Sequence, residues 1–81
     1  MPTLNLYFLE TCPYCRKVLQ FMDEQNIEIS MKNISQDPQL RGELIQKGRK
    51  SQVPALEIDG KIMYESDDII QWLKENISHD A

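Results

Sequence analysis

Long apolar runs are missing from this chain. No stretch of its 81 residues approaches the roughly 18 consecutive apolar positions that a membrane-spanning helix needs. The opening Met1-Pro2-Thr3-Leu4 lacks the basic region and apolar core of a secretory signal, so a cytoplasmic location and no membrane partner are expected. Basic residues are in deficit. Nine Lys and Arg stand against 13 Asp and Glu, a formal net charge of −4, which argues against nucleic acid because phosphate binding wants a basic surface. Cysteine is scarce, with two, and histidine scarcer, with His79 alone. A structural zinc site wants four ligands, so no metal is expected. A small secreted domain would carry more cysteines, whereas two in a reducing compartment are catalytic or metal-binding before they are a staple. Linkers, repeats and low-complexity segments are also lacking, which leaves a single domain over residues 1–81 with one limited core.

What is present is concentrated at Thr11-Cys12-Pro13-Tyr14-Cys15, just after the apolar run Leu4 to Leu9. A strand that ends in a cysteine followed by proline puts a thiol at the first turn of a helix. There the unpaired backbone N–H groups and the positive end of the helix dipole favour thiolate over thiol. Arg16 and Lys17 follow directly and are expected to lower the Cys12 pKa further. Cys15 falls one turn in, on the apolar face with Val18, Leu19 and Met22. The spacing therefore reads as dithiol–disulfide chemistry with unequal thiols.

The rest of the chain supplies a frame for that pair. Leu4 to Leu9 reads as a strand buried on both faces, and Pro13 opens a helix that reaches about Gln25, with Asn26 closing it. Ile27, Ile29 and Met31 alternate with polar residues as in a half-buried strand. Asp37-Pro38 caps and starts a second helix, with Leu40, Leu44 and Ile45 on its apolar stripe and Gly48 as its stop. Pro54 to Ile58 and Lys61 to Tyr64 flank Asp59-Gly60, a strong hairpin signal. Ser66 caps a last helix that carries Asp67 and Asp68 in its first turn and Ile69, Ile70, Leu73 and Ile77 on its buried face. Trp72, Phe21, Met22 and Met31 fall at packing spacings, and Tyr7 is a core candidate. His79 reads as a solvated tail residue. The order β-α-β-α-β-β-α predicts an α/β fold, a four-stranded mixed sheet flanked by helices. Its first β-α-β is parallel and right-handed, and its last two strands are an antiparallel hairpin.

Three segments of this pattern, taken in order, resemble the glutaredoxins, the glutathione-dependent branch of the thioredoxin-like fold. They are Cys12-Pro13-Tyr14-Cys15, Val53-Pro54 and Ser66-Asp67-Asp68, and the resemblance covers essentially the whole chain. It implies a glutathione–disulfide oxidoreductase with Cys12 as exposed nucleophile and Cys15 as resolving thiol, forming a redox-active disulfide. Glutathione serves as co-substrate, the protein partners are disulfide-bonded or glutathionylated, and a monomer is expected. The resemblance also implies a cis peptide at Val53-Pro54, which the sequence alone does not, since X-Pro bonds are cis only about 5–6% of the time. Val53 would then pair in β fashion with the cysteinyl part of glutathione. Ser66 and Asp67 match the positions that hold its γ-glutamyl end, through amides and a hydroxyl for the carboxylate and a side-chain carboxylate for the ammonium. Capping of the helix by the same residues is compatible with that role. Tyr14 would sit at the rim of the site. Gln52, Arg49 and Lys50 are candidates for the glycine end, although solvated surface charge is the commoner role of such cations.

Two departures stand out. Many glutaredoxins carry a lysine shortly before the first cysteine, where this chain has Phe8-Leu9-Glu10. The family's usual Gly-Gly pair is replaced by Tyr64-Glu65, and Tyr64-Glu65-Ser66-Asp67 is similar to the Glu-Ser element of glutathione transferase N-terminal domains. Alternatives from other classes are a dimer carrying an iron–sulfur cluster, for which Pro13 makes the turn stiff, and a transferase-like glutathione-binding module.

Overall fold

The computed structural model describes residues 3–77. In chain order they form β1 (Leu4–Phe8), α1 (Pro13–Glu24), β2 (Ser30–Asn33), α2 (Pro38–Gly48), β3 (Ala55–Ile58), β4 (Lys61–Met63) and α3 (Ser66–Asn76). The sheet runs β2-β1-β3-β4, with β2 parallel to β1 and the other two pairings antiparallel. This is the expected mixed thioredoxin-like sheet. His79 lies outside the described residues, and none of the helices among them is long and apolar enough to cross a membrane.

Alternation along β1 divides the core in two. Leu6, with Leu56 beside it on β3, faces α1 and α3 and packs with Val18, Met22, Ile69 and Leu73. Tyr7, with Ala55 beside it, faces the other way and packs with Ile34 and with Leu44 of α2. Phe21, Trp72, Ile70 and Ile77 are partly buried against the first cluster rather than inside it. The hairpin between β3 and β4 turns through Asp59 (φ 50°) and Gly60 (φ 89°), two left-handed residues in succession, as a tight primed turn demands.

Several local expectations need correction. The predicted strand at Ile27 starts only at Ser30, because Ile27 belongs to the end of α1. Asn26 turns left-handed (φ 55°), its N–H donates to the Asp23 carbonyl, and the Ile27 N–H donates to the Met22 carbonyl at 2.8 Å. Ile27 and Met22 are both buried in the same cluster, which completes a Schellman closure with its apolar contact. Met31, one of the packing candidates, is exposed, and so is Ile45 on the α2 stripe. Gly48 does not stop α2 by its own conformation. It is the last helical residue, and Arg49 after it takes the left-handed conformation (φ 70°). Gly48 is required by a close approach instead: a Cβ there would lie 2.8 Å from Tyr64 Cζ and 3.1 Å from Ile62 Cβ. Ser66 is the first residue of α3 and not its cap, which is Glu65, with no side-chain capping bond. Asp37 does cap α2, its carboxylate accepting from the Gln39 N–H at 2.9 Å.

Candidate active site

Cys12 occupies the position just before α1, in extended conformation (φ −83°, ψ 122°), with Pro13 at the first helical position. Its carbonyl accepts the first helical bond, from Arg16 N–H, at 3.0 Å. Its Sγ lies at the open amide end of the helix, 3.9 Å from the Val53 carbonyl oxygen. Cys15 is fully buried one turn further on, where its Sγ accepts from the Leu9 N–H at 3.4 Å. Both cysteines are free thiols.

The two sulfurs differ in acidity. Burial acts to raise the Cys12 pKa, but it is outweighed by hydrogen bonds from the Cys15 N–H, the Cys15 thiol and the Tyr14 N–H, so the thiol ends below its ordinary value. These are the orphan donors of the helix start meeting a developing anion. Cys15 goes the other way. Burial, with the Cys12 charge added, pushes it up to about 11 despite the Leu9 N–H. The two cations expected to help Cys12 are used elsewhere. Arg16 Nε donates to the Glu10 carbonyl at 3.1 Å, and Lys17 Nζ is 2.5 Å from Asp67 Oδ1. The depression of Cys12 is therefore the work of the helix end and not of nearby cations.

Beside this pair opens a cleft of about 320 Å³ lined by Tyr14, Gln52, Val53, Pro54, Glu65, Ser66 and Asp67. Three separate segments build it. Tyr14, 65% exposed, is the cap of one wall, on the first turn of α1. Val53 and the buried Pro54 form the floor where the chain enters β3, joined by a cis peptide bond. Glu65, Ser66 and Asp67 form the far wall at the start of α3, whose free amides face outward by the geometry of any helix start. Gln52, Ser66 and Asp67, which the sequence put near one ligand, are thus brought together. Arg49 and Lys50 do not line this cleft. Lys50 Nζ stands 4.8 Å above the Tyr64 ring, and the Tyr64 hydroxyl donates to the Lys50 carbonyl.

Two features were not predicted at these positions. Glu65 lines the cleft, although the signal was present in the likeness of Tyr64-Glu65-Ser66-Asp67 to the transferase element. The Lys17–Asp67 ion pair, with both side chains exposed, ties the second turn of α1 to the first turn of α3, and no local pattern joins residues 50 apart. Among the described residues, no group of three or more His, Cys, Asp or Glu side chains is placed to hold a metal ion.

Comparison with known proteins agrees with this geometry. The family described as the N-terminal domain of glutathione S-transferase matches residues 6–79. A glutaredoxin-like 8.6 kDa protein from the rubredoxin operon of Clostridium pasteurianum is 32% identical over 60 residues, 74% of this chain and 80% of its own. Glutaredoxin 1 of Rickettsia prowazekii is 35% identical over 77 residues, 90% of this chain and 79% of its own. Among solved structures, an epsilon-class glutathione S-transferase from the housefly, Musca domestica, superposes with a TM-score of 0.76 at 28% identity. That match covers 96% of this chain but only 37% of the transferase.

Proposed function

This chain belongs to the thioredoxin-fold family of glutaredoxins and glutathione S-transferase N-terminal domains, and on that premise we propose that it is a glutathione-dependent thiol–disulfide oxidoreductase acting through Cys12 and Cys15. The observation that carries the reading is the junction of a low-pKa, accessible thiol with a cleft open at a helix N-terminus.

The Cys12 thiolate attacks the glutathione sulfur of a glutathionylated protein. The protein thiolate leaves and takes a proton, and a Cys12–glutathione disulfide remains. A second glutathione thiolate attacks that disulfide at the glutathione sulfur, giving oxidised glutathione and the free Cys12 thiolate. For a protein disulfide, Cys12 first forms the mixed disulfide with one protein sulfur. Cys15 then loses its proton and attacks the Cys12 sulfur, closing Cys12–Cys15 and releasing the second protein thiolate. Two glutathione molecules return the pair to dithiols. Val53 pairs with the cysteinyl backbone of glutathione, Ser66 and the α3 amides take the γ-glutamyl carboxylate, and Asp67 takes its ammonium.

A second reading, a glutathione-binding module without redox turnover, is favoured by the transferase family match and by the Glu65-Ser66 element. One assay separates the two: turnover of a glutathione mixed disulfide, with glutathione or a thioredoxin reductase as electron source. Turnover with glutathione, abolished in Cys12→Ser and retained in Cys15→Ser, is the expected result. Activity with the reductase alone would overturn the glutathione dependence. Binding of glutathione with no turnover would favour the module.

A further inference from the structure

The cleft is unevenly charged for glutathione. That tripeptide brings an ammonium and a carboxylate at the γ-glutamyl end and a second carboxylate at the glycine end. The wall at α3 supplies two carboxylates, Glu65 and Asp67, with Ser66 and open amides between them. Asp67, Ser66 and the amides suit the γ-glutamyl end, which leaves the Glu65 carboxylate over. Among the described residues that line the cleft there is no lysine and no arginine for the other carboxylate. Of the nearby cations, Lys17 is neutralised by Asp67 of the cleft wall itself, Lys47 is held by Glu57, Lys50 stands above the Tyr64 ring, and Arg49 does not line the cleft. Arg16 reaches back to the Glu10 carbonyl. Gln52, which the family resemblance puts toward the glycine end, is a neutral amide, and Glu65 gives the same lining a negative potential that a reacting Cys12 thiolate reinforces.

We infer that the cleft selects γ-glutamyl-cysteinyl thiols by their first two residues and favours those whose third residue carries no negative charge, either neutral or amine-bearing. Glu65 is the residue that sets this preference. The inference rests on the glutathione reading above and specifies which relatives of glutathione the same site takes. A site with a fixed cation for the glycine carboxylate behaves in the opposite way, because removing one partner of a charge-assisted hydrogen bond costs about tenfold or more in affinity.

The test uses one fluorescent peptide thiol joined as a mixed disulfide to three partners: glutathione, its glycine amide, and its glycine amidated with a diamine. The readout is the second-order rate of peptide release by the wild-type protein as Cys12 takes the small thiol. The amide is expected to react at least as fast as glutathione. The amine conjugate should react several-fold faster at low ionic strength, an advantage that shrinks with added salt and disappears in Glu65→Gln. An amide rate below about one fifth of the glutathione rate would show a carboxylate clamp and overturn the inference, leaving the thiol chemistry intact. An amine advantage unchanged in Glu65→Gln would remove Glu65 from the role. Release from none of the three conjugates would overturn the glutathione reading itself.

Discussion

Cys12 and Cys15 are separated by two residues and sit in opposite environments. The first meets open amides at a helix start; the second is sealed in the core against Leu9. One consequence is measurable at the thiols themselves. Iodoacetamide should modify Cys12 with a pH profile that rises through a midpoint below the ordinary thiol value, while Cys15 stays unmodified until pH approaches about 11. The Cys15 thiol is also one of the donors that hold the Cys12 anion. Cys15→Ser keeps a donor there and should leave the Cys12 midpoint low, whereas Cys15→Ala removes it and should move the midpoint up. An unmoved midpoint in Cys15→Ala would mean that the backbone amides alone set the acidity. The unequal environments were legible from spacing and proline, because a helix start is a local feature. The idle roles of Arg16 and Lys17 were not, since their partners Glu10 and Asp67 are fixed by the folded surface.

At the scale of the element, Gly48 joins the end of α2 to the start of the cleft's far wall. Tyr64 lies against its bare Cα, and the next residue is Glu65. Helix propensity alone would make Gly48→Ala a gain of roughly 1 kcal/mol. The crowding against Tyr64 reverses the sign, and a net loss of about 1–3 kcal/mol is expected, as for overpacking elsewhere. Urea denaturation of Gly48→Ala and of Gly48→Ala with Tyr64→Ala checks it, because trimming the ring should cancel most of the loss from the added methyl. A stabilised single variant would show that the tyrosine swings away freely. Sequence signals at this scale were uneven for physical reasons. Asp37-Pro38 and Asp59-Gly60 state their geometry in one dipeptide each. The alternation from Ile27 to Met31 misled because Ile27 is the apolar half of a helix closure, a job that looks the same as the first residue of a strand. Ser66 misled because a serine ahead of two aspartates is a cap pattern, yet α3 begins one residue earlier and leaves the hydroxyl to the cleft.

Across the whole molecule, the face of the sheet away from the cysteines contains a charge network that no motif announced. Glu57 on β3 is buried, and Lys47 of α2 reaches it at 3.0 and 3.1 Å. Asn5 Nδ2 donates to the same carboxylate at 3.0 Å, and the Tyr7 hydroxyl lies 3.4 Å away. No local signal in the sequence marks Glu57 as buried, and the packing of α2 over this face of the sheet covers it. Burial alone would raise its pKa, but the donors from Lys47, Asn5 and Tyr7 prevail and hold it below the ordinary carboxylate value. A group whose pKa is depressed by folding contributes stability above its unfolded value, and that contribution is lost as pH falls through the folded one. Lys47 has the opposite sign. The Glu57 hydrogen bond raises its pKa, so its contribution holds below the unfolded value and fades as pH rises through the folded one. The pair therefore predicts a stability plateau across neutral pH with an acid limb due in part to Glu57. Because Lys47 keeps some contact with water, Glu57→Gln should cost about 1–3 kcal/mol at neutral pH and not the larger sum of a sealed pair. The gap between variant and wild type should narrow steadily as pH falls below the ordinary glutamate range and through the depressed Glu57 pKa, where the wild-type carboxyl takes up its proton. Since the network lies behind the sheet, the thiol activity per folded molecule should be unchanged. Urea melts of both proteins over that range check the prediction, and a gap that stays constant with pH would assign the loss to packing and not to charge.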